Sequence, residues 1–257
     1  MATVDATKIH QGPGSLWLKV PTPVTGKRLL IDTNGNPTSP GWAASTAFAL
    51  GQEIVDSNGN IERATVAGTS GASAPLWPMT LNSTVIDGGV TWQMTAAGAN
   101  LFAGAVENAA TVSVAPKLEE ISADQIAAPI DAVLTAEAEF IEITLLESDL
   151  AKLQNYIVNG TFATGTDAGL PSGAQNYEEI AFGGLLAVPK ASVAVISPRR
   201  NEPGKFVVSQ LYQAYQAEAV ALPFQRAKQT AYKLKFSGLA DPTRPAGDQV
   251  GKIYRQT

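Results

Sequence analysis

Along Glu139-Phe-Ile-Glu-Ile-Thr-Leu145 polar and apolar residues alternate, so that Ile141, Ile143 and Leu145 share one side and Glu142 and Thr144 the other. An extended strand sorts such a pattern, because its successive side chains point to opposite faces, one for a core and one for solvent or a partner. Alternating, β-branched or aromatic segments recur at Ser15–Val20, Lys27–Asp32, Gln52–Asp56, Ile61–Val66, Val90–Thr95, Val106–Ala115, Ala136–Leu145, Glu178–Ala187, Lys205–Gln213, Glu218–Leu222 and Thr230–Ser237. With 23 Gly and 16 Pro to break the chain between them, the expected class is all-β.

One segment departs from that period. Leu146, Leu150, Leu153 and Ile157 stand at i, i+4, i+7 and i+11, a single apolar stripe that predicts a helix of about three turns flanking the sheet. Thr144 and Glu147 fit a capping box, with Ser148 as the alternative N-cap, and Asn159-Gly160 supplies the stop.

Two short stretches repeat each other: Asp32-Thr-Asn34-Gly35-Asn36-Pro and Asp56-Ser-Asn58-Gly59-Asn60-Ile. Asn-Gly predicts a type I′ hairpin turn, in which both central residues take positive φ. Read as a calcium loop, each has its Gly in the wrong place and lacks the terminal Glu, so a plain hairpin is expected.

Residues 41–97 hold Trp42, Trp77 and Trp92, three of the four Trp, within a Gly-, Ser- and Thr-rich stretch. It follows Pro37 and Pro40 and closes at Ala96-Ala97-Gly98. This predicts a small β module inserted into a host domain made of 1–40 and 98–257, whose ends, Met1–Gly14 and Gly238–Thr257, form N- and C-terminal arms.

The 257 residues carry 16% charged and 45% apolar side chains, a balance that suggests apolar surface buried between subunits. No Cys is present, which excludes disulfides and thiolate metal sites. The single His, His10, sits in a segment expected to be extended and is read as solvated or interfacial, not as part of a nucleophile–His–acid triad. The first residues lack the basic and apolar regions of a secretory signal, and no run is long and apolar enough to span a bilayer, so a cytosolic origin is expected.

No nucleophile elbow, phosphate loop or dinucleotide fingerprint occurs, and Asn82-Ser-Thr84 and Asn159-Gly-Thr161 are chance matches to the glycosylation pattern. Glu139 and Glu142 point to opposite faces of one predicted strand, which excludes them as a glycosidase pair. No enzymatic activity, cofactor or metal is expected. Between Lys117 and Asp149 stand nine acids, Glu119, Glu120, Asp124, Asp131, Glu137, Glu139, Glu142, Glu147 and Asp149. From Arg199 onward ten Lys or Arg face only Glu202, Glu218, Asp241 and Asp248. The bases are scattered without an aromatic platform, so the separation suits head-to-tail stacking of subunits better than nucleic-acid binding.

With these features in hand, the chain resembles the major tail-tube proteins of long-tailed bacteriophages. Lys8-Ile-His-Gln-Gly-Pro-Gly-Ser-Leu-Trp-Leu-Lys19 is similar to their first strand and Val106-Glu-Asn-Ala-Ala-Thr-Val-Ser-Val114 to the next. Glu119-Glu-Ile-Ser-Ala-Asp-Gln125, Pro129-Ile-Asp131-Ala-Val-Leu-Thr135 and Ile141-Glu-Ile-Thr-Leu-Leu-Glu147 look like their strand–loop–strand–helix core. Within the insert, Trp42-Ala-Ala-Ser-Thr-Ala-Phe-Ala-Leu-Gly51, Ala67-Gly-Thr-Ser-Gly-Ala72, Pro75-Leu-Trp77 and Asp87-Gly-Gly-Val-Thr-Trp92 resemble a small β module of phage tail and fibre proteins.

The resemblance implies a tail-tube β-sandwich with one flanking helix, closing as hexameric rings into a barrel. Stacked rings would form the hollow tube of a non-contractile siphovirus tail, a virion structure assembled in the host cytoplasm. The implied partners are further copies of the chain, the tape-measure protein, and terminator and tip proteins. Genomic DNA would pass without specific binding during ejection, and no membrane is involved. On this reading Glu119, Glu120, Glu137, Glu139 and Glu142 face the lumen, where a negative wall repels phosphates. Asp124, Gln125, Pro129 and Asp131 form a ring-stacking loop, and the insert lies on the outer surface. The competing expectation is a carbohydrate-binding virion or secreted β protein that stacks sugars on Trp42, Trp77 and Trp92; against it, a small module needs large aromatics for its own core.

Overall fold

A computed structural model describes residues 14–104, 106, 110–122, 128–146, 150–155, 160–168, 173–184, 186, 188–221 and 231–257. These residues are nearly all β. The chain opens with β1 (Ser15–Leu18), followed by the short hairpin strands β2 (Leu30–Ile31) and β3 (Pro37–Thr38). Next come β4 (Ala47–Phe48), β5 (Glu53–Val55), β6 (Ile61–Val66), β7 (Gly68–Thr69), β8 (Thr84–Asp87) and β9 (Val90–Ala96). After β10 (Leu101–Phe102), two long strands follow, β11 (Thr111–Ile121) and β12 (Asp131–Leu145), and then one helical turn, α1 (Leu150–Leu153). The remaining strands are β13 (Gly160–Asp167), β14 (Gln175–Phe182), β15 (Ala191–Pro198), β16 (Phe206–Gln216), β17 (Tyr232–Leu239) and β18 (Gly251–Arg255).

The largest sheet has eight strands, antiparallel throughout, in the order β10-β1-β15-β16-β17-β12-β11, with β18 added on β16. It forks at β16: Val207–Leu211 pair with β18, and Gln213–Gln216 pair with β17 on the same side. Two glycines permit the close approach there. A Cβ on Gly251 would lie 2.4 Å from the Gln210 carbonyl oxygen, and one on Gly238 would lie 2.5 Å from Val250 Cγ1.

Both faces of this sheet are covered around β15 and β16. On one, Leu16, Leu18, Val193, Val195, Leu211, Leu234, Phe236, Ile141, Ile143 and Leu145 form the main core. On the other, Val20, Leu29, Ala194, Ile196, Phe206 and Val208 form a second cluster with Trp17, Ile31 and Tyr254. Odd and even residues of β15 divide between these clusters, as strand geometry dictates. Towards β11 the double covering ends, and most side chains of β11 and of the first half of β12 are exposed.

Several expectations are corrected. The helix keeps only Leu150–Leu153 among the described residues, since Gln154 and Asn155 already turn; Glu147, Ser148, Ile157 and Asn159 lie outside them. Leu153 is its buried residue, set into the main core, and Leu150 packs beside it. The C-terminal segment is no arm. β18 is hydrogen-bonded along β16, Tyr254 Oη donates to the Leu29 carbonyl at 2.5 Å, and Arg199 Nη1 donates to the Gln256 carbonyl at 2.6 Å. Met1–Pro13, with His10, lies outside the described residues.

The two Asn-Gly turns are hairpins of another type than predicted. Gly35 and Gly59 have φ of 88° and 79°, but neither Asn34 nor Asn58 has positive φ. Instead the preceding Asp organises each turn. Asp32 Oδ1 accepts the backbone N–H of Asn34 and of Asn36, and Asp56 Oδ1 accepts those of Asn58 and Asn60. A side chain that mimics a backbone acceptor makes positive φ unnecessary at the Asn.

Residues 41–97 build their own sheets, the four-stranded β5-β6-β9-β8 and the pair β4-β7, around the cluster Phe48, Ile54, Ala64, Trp77, Val90 and Trp92. The excursion from the main sheet is longer than this stretch, however. Leu18 pairs with Leu101 across β1 and β10, and Asn100 N–H donates to the Lys19 carbonyl at 2.9 Å. The chain therefore leaves the sheet at Lys19 and returns beside its point of departure at Asn100.

Candidate functional site

The β11–β12 ribbon carries a row of exposed apolar side chains. Val114, Leu118, Val133 and Leu134 are 60%, 59%, 48% and 47% exposed, and Ile121 and Ile130 are exposed at its tip. Eleven residue pairs join the two strands, with a bulge at Lys117/Leu118 where Thr135 is passed over. Among the described residues the outer edge of β11 has no neighbouring strand. A long edge with unpaired backbone groups and exposed apolar side chains is a template for pairing with another chain.

The register sorts the five predicted acids into two sets. Glu137 and Glu139 lie on the same side of β12 as the core residues Ile141 and Ile143, and Glu120 lies on that side of the ribbon too. Glu119 and Glu142 lie on the opposite side, so the five do not share one surface. Burial, with the neighbouring Glu137 charge, pushes the Glu139 carboxyl above the usual carboxylate range. Glu142 is held low by its hydrogen bond to Lys235, whose Nζ lies 2.9 Å from Glu142 Oε1, 3.2 Å from Glu218 Oε1 and 4.6 Å from the Phe140 ring centroid. Of the predicted stacking loop, Pro129 and Asp131 are exposed at the ribbon tip, whereas Asp124 and Gln125 lie outside the described residues.

The insert aromatics form a core. Trp92 is fully buried and Trp77 is 8% exposed; their rings meet edge-on at 6.0 Å, and Phe48 meets Trp92 at 4.9 Å. Trp42 is half-buried against the cluster. One carboxylate ties the group together: Asp87 Oδ2 accepts the indole N–H of Trp42 at 2.7 Å and of Trp92 at 3.1 Å, and Oδ1 accepts Gly71 N–H at 2.8 Å. Trp77 and Trp92 thus present no open ring face on which a sugar could stack.

Sequence reasoning did not find the polar seam between insert and main sheet. Arg63 on β6 reaches Asp241 Oδ2 at 3.5 Å and Thr243 Oγ1 at 3.2 Å. Arg244 bridges Asp241 and Asp248, donates to the Pro23 carbonyl, and stacks 3.7 Å from the Tyr212 ring centroid. Tyr212 Oη donates to Asp248 at 2.6 Å, and burial with that bond raises the phenol well above its ordinary range. Glu53 Oε2 accepts Thr22 N–H at 2.6 Å beside a cavity of about 480 Å³ that Pro21, Pro23, Leu29 and Pro40 also line. Burial pushes Glu53 up to about 7, against the lowering by that hydrogen bond and by Arg63 and Arg244.

Among the described residues no three His, Cys, Asp or Glu side chains gather into a cluster that could hold a metal, and no helix is long and apolar enough to cross a membrane. No family model matches the chain, and no curated protein matches it at a significant level.

Proposed function

We propose that this chain is a structural subunit that polymerises, and specifically a tail-tube protein of a long-tailed phage. The observation that carries the proposal is the β11–β12 ribbon, with its free outer edge and its exposed Val114, Leu118, Val133 and Leu134. An edge of this length left open would aggregate without control, whereas a fixed ring of copies closes it by pairing each edge with the next subunit. Hexameric rings joined in this way form a barrel, and stacked rings form a hollow tube that contains the tape-measure protein and later passes DNA. Terminator and tip proteins cap it.

In that assembly the two sides of the ribbon have different duties, because the acids divide between them. A lumen lined by the side of Glu119 and Glu142 also meets Lys233 and Lys235, which share that side through the β12–β17 register. Such a wall is mixed in charge and lets DNA slide by offering no continuous cationic track. The insert belongs on the outside, since its bulk would block a lumen or prop rings apart, and a sheathless tail accommodates it.

Negative-stain microscopy of the purified chain tests the reading, with rings or tubes expected. Val114→Lys with Leu118→Lys is expected to leave a folded, soluble monomer, because both positions are exposed. A wild-type chain that stays monodisperse and monomeric at high concentration overturns the proposal.

A further inference from the structure

The two Asp-x-Asn-Gly-Asn turns share sequence and backbone geometry, and one of them is closed while the other is open. In the first, Asp32 spends both oxygens locally: Oδ1 on the N–H groups of Asn34 and Asn36, at 2.9 and 2.8 Å, and Oδ2 on the Asn36 side-chain amide at 3.0 Å. In the second, Asp56 Oδ1 repeats the pattern at 2.8 and 2.7 Å. The Asn60 amide, however, turns to the chain that crosses the turn, and its Oδ1 accepts Gly98 N–H at 3.3 Å. Asp56 Oδ2 is left buried and without a partner.

What faces that oxygen differs too. Six residues after the Asp, the first turn has Thr38 and the second has Glu62. Glu62 is 0% exposed and neither of its oxygens has a hydrogen-bond partner. It stands opposite Ile54 and Met94 in the ladder, both buried, and Asp56 follows Ile54 on the same side of β5. Asp56 is close enough for its charge to act on Glu62. Asn100 Oδ1 is a further buried oxygen without a partner, on the segment whose Ala99 N–H bonds Gly59 across the turn. Among the described residues no Lys or Arg reaches Asp56 or Glu62, and Arg63, next in sequence, is engaged with Asp241.

We propose that the second turn is a site for a hard divalent cation of the calcium class, ligated by Asp56 Oδ2 and the Glu62 carboxylate, with water filling the rest of its shell. Two carboxylates buried without a counter-charge are costly, and one shared proton would neutralise a single charge while leaving oxygens unbonded. A divalent cation neutralises both carboxylates and takes their unbonded oxygens. Calcium suits an irregular set, because it accepts varied geometry at 2.3–2.6 Å and fills its shell with water, which the exposed Asn58 side of the turn can admit. Magnesium demands near-octahedral order and gives up its water reluctantly, which favours calcium at a buried pair of carboxylates. The site is not an EF-hand: its last carboxylate comes six residues after the first, across a hairpin.

The test uses the full chain stripped with a chelator, then titrated with calcium chloride, and in parallel with magnesium chloride, by calorimetry and by thermal melting. Binding in the range of about 0.1–1 mM is expected, as for extracellular modules with few charged ligands, together with a melting temperature that climbs with calcium concentration. Glu62→Gln should fold and lose both responses, while Asp32→Asn in the closed turn should keep them. Asp56→Asn keeps an amide oxygen for the turn and should lose both responses as well. A folded wild type that neither binds nor gains melting temperature overturns the proposal. If Glu62→Gln then melts higher than that unresponsive wild type, the pair holds a shared proton instead.

Discussion

Asp87 and Trp92 form the closed centre of the insert: a carboxylate 4% exposed accepts the indole N–H of a fully buried Trp at 3.1 Å, and the same oxygen takes Trp42 at 2.7 Å. Removing that carboxylate leaves two indole N–H groups and the Gly71 amide unsatisfied in a small core. Asp87→Ala is expected to destabilise the module by about 3 kcal/mol, from several buried donors left without acceptors. Urea unfolding followed by Trp fluorescence reads it directly, since three of the four Trp lie in the module. A loss below about 1 kcal/mol would show that the indoles find other acceptors.

The seam between insert and main sheet should be held by packing and geometry more than by charge. Arg63 is partly exposed where it meets Asp241 at 3.5 Å, so a double-mutant cycle with Arg63→Ala and Asp241→Ala is expected to return a coupling of about 0.5–1 kcal/mol. Hydrogen exchange in Arg63→Ala should quicken around Thr22 and Glu53 while the β15–β16 ladder stays protected. Uniform loss of protection would mean that the two units unfold as one.

Glu53 gives the seam a pH dependence. Its folded-state value of about 7 lies above the ordinary 4.5, so the native state keeps a proton that the unfolded chain has released. Stability is expected to fall as pH rises from about 4.5 to about 7 and then to level, by about 2 kcal/mol after discounting for partial exposure. Glu53→Gln retains an acceptor for Thr22 N–H and should flatten the curve, leaving the variant more stable than wild type at pH 8. Denaturation midpoints across that range check the sign.

A fourth expectation concerns the last residues. Deleting 241–257 removes β18 from β16, the Tyr254 bond to Leu29 and the Arg199 bond to Gln256, and uncovers Phe206 and Val208. The truncated chain is expected to be insoluble or molten by near-ultraviolet dichroism. A truncated chain that remains well folded would return this segment to the status of an arm.

The patterns that reveal strands in a sequence are those of half-buried sheets. β9 and the second half of β12 stand where alternation puts them, because one side of each meets a core. β15 escapes that reading: from Ser192 to Ile196 every residue is buried, and a strand covered on both faces has no period-two signal. β13 is rich in Gly and Thr and β18 is short, so neither announces itself. The apolar stripe from Leu146 to Ile157 suggests a longer helix than the one turn described, since Leu150 and Leu153 need only that turn to reach the core. The half of the ribbon nearest the core was legible as strands up to Ala115 and from Ala136; its outer half, to Ile121 and from Asp131, was not, and the division of its acids depends on register and on the bulge at Lys117/Leu118. Arg63 and Asp241 are brought together by the fold alone, and no local pattern joins residues so far apart in sequence.

The return of the chain at Asn100, beside its departure at Lys19, has a kinetic meaning. Joining β1 to β10 through an unstructured loop of roughly eighty residues requires a large entropy loss before any pairing is gained. If residues 41–97 condense first around Trp92, the floppy span shrinks to roughly a quarter, and closing the loop becomes easier by about 1 kcal/mol. The excursion then serves the host sheet as a splint during folding, setting two distant strands side by side before their ladder forms. On that account the insert is a foldon on the route to the sheet as well as a projection from it, and a Gly-Ser bridge of the same length would slow the sheet's formation more than it weakens the finished structure.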